Sequence, residues 1–119
     1  MPDVNPEDYR EQLATLARRK ECRDYGWPIH WSPRSVINPS CEFGLAFTDA
    51  SAWEFIADHL DAGHPIETIT LDDPPGKTAF VMKIEIEPNS PKLYVKLQFG
   101  SGKVIARSFH ISTVDEKKY

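Results

Sequence analysis

Ala79–Ile86 (AFVMKIEI), Lys92–Phe99 (KLYVKLQF) and Lys103–Ile111 (KVIARSFHI) are the stretches that decide the fold. Each alternates in character with a period of two, the spacing at which side chains fall on opposite faces of a strand. In the second run, Leu93, Val95, Leu97 and Phe99 share one side and Tyr94, Lys96 and Gln98 the other. In the first, Phe80, Met82, Ile84 and Ile86 oppose Lys83 and Glu85. In the third, alternation sets Ile105, Phe109 and Ile111 against Ser108 and His110. Three such strands predict a meander with an apolar core side and a polar side. Lys83, Tyr94, Lys96, Gln98 and His110 would gather on the polar side.

Outward from these strands, the connections read as hairpin loops. They are Pro88–Pro91 (PNSP) and Gly100–Gly102 (GSG), with Asp72–Gly76 (DDPPG) as a rigid turn into the sheet. Ile66–Leu71 (IETITL) reads as a further short strand, and Glu42–Phe47 as a short strand or extended lead-in. Between them a helix is predicted over Asp49–Ala62. Thr48 is its cap, Gly63 its stop, and Trp53, Ile56, Ala57 and Leu60 its buried stripe. A first helix is predicted over Pro6–Lys20, capped by Asn5, with Tyr9, Leu13 and Leu16 facing the core. Residues 21–41 hold Pro28, Pro33, Pro39 and Gly26, and read as irregular. Trp27 and Trp31 in that segment either pack on the body or form a recognition surface.

The fold class expected is therefore α+β: N-terminal helices packed on a small antiparallel meander. The 119 residues make one domain, with 1–40 a helix and Pro/Trp-rich extension and 41–119 the α+β core. An apolar content of 40% suffices for a small core, and no apolar run reaches membrane-spanning length. Without a secretory leader, the compartment expected is the cytoplasm, with Cys22 and Cys41 as free thiols. His59 and His64 are not spaced as a zinc pair, no CxxC occurs, and no motif calls for a cofactor.

Net charge is −4, which argues against indiscriminate nucleic-acid binding, yet the charge is uneven. Residues 1–76 carry 6 Lys/Arg against 14 Asp/Glu, and residues 77–119 carry 8 against 4. A basic half that ends in a histidine-bearing strand suits a polyanion.

RNA is cleaved when its 2′-hydroxyl attacks the adjacent phosphate, a step that needs proton transfer and charge stabilisation. Histidine serves the first, and ammonium groups fixed on strands serve the second. His110 is the acid/base candidate. Lys96 and Lys83 are the phosphate-side candidates, and Tyr94 orients a proton or stacks on a base. Lys77, Gln98 and Arg107 are candidates for substrate binding. Strict alternation puts Arg107 beside Ile105 and Phe109 on the core side, where it either reaches round the sheet edge or is held by a carboxylate.

Three segments carry a resemblance: Leu71–Lys77 (LDDPPGK), Leu93–Leu97 (LYVKL) and Arg107–His110 (RSFH). With the helix that precedes the meander, the span from Phe43 to Ile111 resembles the MqsR group of type II toxins, within the RelE-like family of small messenger-RNA endonucleases. The resemblance implies metal-independent cleavage of messenger RNA, free or ribosome-bound, and neutralisation by an antitoxin protein. It implies that Tyr94 matches the sheet tyrosine, Lys96 the basic residue of the Tyr-x-Lys pattern, and His110 the Lys or His of the last strand. Lys83 falls where a polar residue of the neighbouring strand is expected. The chain departs from the family in its acidic balance and in its first 40 residues. The alternative is a non-catalytic RNA- or protein-binding module on the same fold, binding through Trp27, Trp31 and the first helix.

Overall fold

The computed structural model describes residues 5–39, 43–72, 75–86, 91–100 and 102–111, without the side chains of 27–29, 72 and 75. Cys41, the centre of the DDPPG turn, most of the PNSP loop, Ser101 and the side chain of Trp27 lie outside the described residues. The order of elements is α1 (Arg10–Ala17), β1 (Arg23–Trp31), α2 (Asp49–Asp61), β2 (Glu67–Asp72), β3 (Pro75–Ile84), β4 (Leu93–Gly100) and β5 (Lys103–Ile111). They form an α+β fold, two helices on a five-stranded mixed sheet of order β1-β5-β4-β3-β2. Strands β3 to β5 form the expected antiparallel meander, the short strand β2 continues it beside β3, and β1 adds parallel to β5.

β1 corrects the reading of residues 21–41 as irregular. The chain pairs Arg23–Tyr25 with Val104–Ala106 and His30–Trp31 with Ser108–Phe109, and the register shifts between the two stretches. Pro28 falls within that shift. An edge strand is paired on one side alone, so a missing amide turned outward removes no ladder bond.

The first helix is shorter than the pattern suggests, whereas the second spans the expected residues. The Asn5 side chain accepts from the Glu7 amide at 3.0 Å, as a cap should, but it caps a single 3-10 turn over Pro6–Asp8. The α-helix proper runs only from Arg10 to Ala17, and a second 3-10 turn covers Lys20–Cys22. In α2, Thr48 and Ser51 exchange side-chain and backbone hydrogen bonds as a capping box, and Gly63 follows the helix at φ 85°. Arg10 clips the two helices together. It makes a two-pronged pair with Glu7 at 2.6 and 2.7 Å and donates to the Leu60 carbonyl, at the C-terminal end of α2, at 2.8 Å. The guanidinium hydrogen bond holds the Glu7 carboxyl below its ordinary range. Arg18 adds ion pairs to Asp58 and Asp61 at 3.0 and 2.6 Å.

One sheet face and both helices enclose the core. Trp53, Ile56, Ala57 and Leu60 are buried as expected, with Leu13 from α1 and Leu93, Val95 and Leu97 from β4. Tyr9 closes one end against Phe80 and Phe99, with ring centroids 5.4 and 5.3 Å away. Trp31 packs on Trp53 and Phe109 and its indole donates to Asp49 at 3.2 Å, so this tryptophan belongs to the body. Phe47 is buried, but residues 43–46 make only an isolated bridge, Ile37 to Ala46, and leave Phe43 and Leu45 exposed. Gly102, at φ 77°, supplies the positive φ that a two-residue hairpin between Gly100 and Lys103 needs.

Candidate functional site on the open sheet face

The face of the sheet away from the helices carries its polar residues in rows set by strand pairing. In one row His110, Tyr94 and Lys83 stand opposite one another on β5, β4 and β3. The neighbouring row holds His30, Ser108, Lys96, Val81 and Glu67, from β1 across to β2. Adjacent strands lie about 4.8 Å apart, so residues within a row are side-chain neighbours and diagonal ones come within reach of long side chains.

A β-bulge in β5 shapes this face and overturns strict alternation. Lys96 pairs with Ser108 and Leu97 with Ala106, which leaves Arg107 as an extra residue. The core positions of β5 are consequently Val104, Ala106 and Phe109, all with no exposure. Ile105 moves to the open face with Ser108 and His110, opposite Gln98. Arg107 is there too, and need not reach round an edge. A Cβ placed on Gly26 of β1 would lie 2.7 Å from Arg107 Nη1 and 2.8 Å from Ile105 Cγ2. The missing side chain of Gly26 is thus the space into which both residues fold.

Polar character does not mean exposure on this face. Lys96 and Gln98 are each 7% exposed, Arg107 4% and Ser108 1%. Strands β4 and β5 are flanked on both sides, so these side chains lie largely among neighbouring residues rather than in solvent. That setting strengthens the electrostatic effect of each cation, because the surroundings are less polarisable than water.

Tyr94 and His110 stack, with ring centroids 5.6 Å apart and 29° between planes. Lys96 Nζ lies 5.8 Å from the Tyr94 ring centre, within cation–π range. His110 Nδ1 is 3.1 Å from the Ile111 carbonyl oxygen. A carbonyl can only accept, so that nitrogen carries the hydrogen, and in the neutral ring Nε2 holds the lone pair. In that tautomer Nε2 is the ring nitrogen able to accept a proton.

The structure brings together His110, Tyr94, Lys96, Gln98 and Arg107 from the residues expected. Lys83 shares the His110 row but is exposed and reaches Glu67 at 3.9 Å, outside the buried cationic centre. Lys77 is exposed near the start of β3. His30 joins the cluster unannounced, 6.2 Å from His110 between ring centroids. Reading Arg23–Trp31 with a period of two would have aligned Asp24, Gly26 and His30 on one side, and so found it.

Among the described residues no group of three or more His, Cys, Asp and Glu side chains is placed to hold a metal ion. His59 and His64 lie 5.8 Å apart between ring centroids, at the end of α2. No helix of the described residues is long and apolar enough to cross a membrane. No family model matches the chain, and neither a curated protein nor a solved structure shows significant similarity to it.

Proposed function

We propose that the open sheet face is the active site of a metal-independent endoribonuclease of the MqsR and RelE-like kind, acting on messenger RNA and restrained by an antitoxin protein. The observation that carries this reading is the stack of Tyr94 on His110, whose Nδ1 lies against the Ile111 carbonyl, next to the buried cations Lys96 and Arg107. His110 takes the proton of the attacking 2′-hydroxyl. Lys96 and Arg107 stabilise charge that builds on the phosphorane oxygens, an effect worth about 10²–10³-fold for one preorganised donor. Tyr94 holds the imidazole by stacking and offers a ring on which a base can rest. Gln98 and the exposed Lys77 and Lys83 steer the flanking phosphates.

The same topology supports the family reading, since α2 precedes the meander β2–β5 and Tyr94 and His110 face each other on its last two strands. The alternative module binding through tryptophans is weakened because Trp31 packs into the body. The test is induced expression in a bacterial host, wild type beside His110→Ala, with growth and messenger-RNA length followed together. Growth arrest with shortened RNA, relieved by the substitution, supports the proposal. Equal arrest by both chains removes His110 from the chemistry.

A further inference from the structure

We propose that His30, on the edge strand, is a second catalytic residue: the general acid that protonates the leaving 5′-oxygen. This rests on the ribonuclease reading of the same face and adds the half of the proton traffic that His110 alone does not supply. Three observations lead to it. The His30 and His110 rings are 6.2 Å apart between centroids, at 77° to one another. A phosphate lying between them would have one imidazole near each of the two oxygens that exchange protons, at about 2.6–3.2 Å once the exposed His30 ring turns to meet it. His30 pairs directly with Ser108, which pairs with Lys96, so the imidazole sits at the end of the cationic row. Finally, His30 is more accessible than Tyr94 or Lys96. Tyr94 presents its ring face to His110, and Lys96 lies buried against that same tyrosine. His30 is exposed, at the rim where a strand of RNA enters.

The step balances in atoms and protons. The 2′-oxygen bonds to phosphorus while the bond from phosphorus to the 5′-oxygen breaks. The 2′ proton passes to Nε2 of His110, and the His30 imidazolium gives its proton to the departing oxygen. The products are a 2′,3′-cyclic phosphate and a 5′-hydroxyl. The two rings finish with their protonation exchanged, and solvent resets them.

Leaving-group dependence separates a general acid from a merely structural residue. The full chain and its His30→Ala, His30→Gln and His110→Ala variants are assayed on a diribonucleotide and on uridine 3′-(4-nitrophenyl phosphate), whose leaving group departs without protonation. Loss of His30 is expected to slow the diribonucleotide by about 10²–10⁴-fold. It should leave the nitrophenyl ester within about tenfold of wild type, a margin small beside that acid–base factor. His110→Ala is expected to slow both. Because His30 is exposed, neither substitution opens a cavity, and the glutamine keeps a polar group without a transferable proton. Equal slowing of both substrates by the His30 variants, or unchanged cleavage of both, overturns the proposal while the ribonuclease reading stands. If the wild type cleaves neither substrate, the ribonuclease reading itself fails and this proposal falls with it.

Discussion

Replacing Gly26 by alanine tests the open face at its tightest point. The added methyl would sit 2.7 Å from Arg107 Nη1 and 2.8 Å from Ile105 Cγ2, both closer than non-bonded carbon contacts allow. The two neighbours yield unequally. Nη1 is the far end of a long side chain and can swing away. Cγ2 is fixed on the branched carbon of Ile105, whose rotation is stiff. Overpacking of this kind costs about 1–3 kcal/mol, against which the loss of glycine's freedom in the unfolded chain returns about 0.4–1 kcal/mol. The net expectation is a destabilisation of about 1–2 kcal/mol, a fall in Tm of about 4–8 °C for a domain of this size. Thermal and urea unfolding measure it. Pairing the change with Ile105→Ala, which removes Cγ2, should cancel most of the loss, with a coupling of about 0.5–2 kcal/mol. RNA cleavage should fall in the single variant as well, because Arg107 has been pushed from its place. A Gly26→Ala chain as stable as wild type would mean that neither residue rests on β1, and the bulge geometry would be wrong.

Other expectations follow from the same structure. Thr48→Ala breaks the capping box of α2 and should cost about 1 kcal/mol, read as a lower urea midpoint at unchanged slope. The Glu7 carboxyl is held below its ordinary value of 4.5, first by the Arg10 hydrogen bond, so its contribution to stability is complete above that value and lost as pH falls through the depressed one. Wild type should therefore lead Glu7→Gln in urea midpoint at neutral pH, with the gap closing in acid. Lys96→Met keeps the stem and removes the charge, and should slow cleavage by about 10²–10³-fold with the circular-dichroism spectrum retained. Lys83→Ala, at an exposed position, should leave the chemical step intact and flatten the salt dependence of RNA affinity by about 0.7 in slope.

The meander was legible because its strands alternate cleanly and its turns are marked by glycine and proline. The stripe Trp53, Ile56, Ala57 and Leu60 was legible because a helix repeats its buried face every three or four residues. What escaped the pattern has local causes. An edge strand interrupted by Gly26 and Pro28 shows no run of strand-forming residues, since its stability comes from pairing with β5 and from Trp31 in the core. Losing that strand meant losing His30. The bulge at Arg107 inserts one residue, and every parity assignment N-terminal to it on β5 reverses, which exchanged Ile105 for Val104 and Ala106 in the core. Burial of Lys96, Gln98 and Arg107 depends on the strands at either side and on the gap at Gly26, none of which a period of two contains. The gathering of Tyr94, Lys96 and His110 on one face was expected, but the direct pairing of Tyr94 with His110 depends on the same bulge, since the hairpin register alone would set Tyr94 against Phe109.

The most direct measurement is incubation of the purified chain with a defined messenger RNA in excess EDTA, wild type beside His110→Ala, with the new ends identified. Cleavage by the wild type, 2′,3′-cyclic phosphate at the new 3′ ends and intact RNA with the folded variant are the expected results. Intact RNA with folded wild type, or equal cleavage by the two proteins, would contradict the ribonuclease reading.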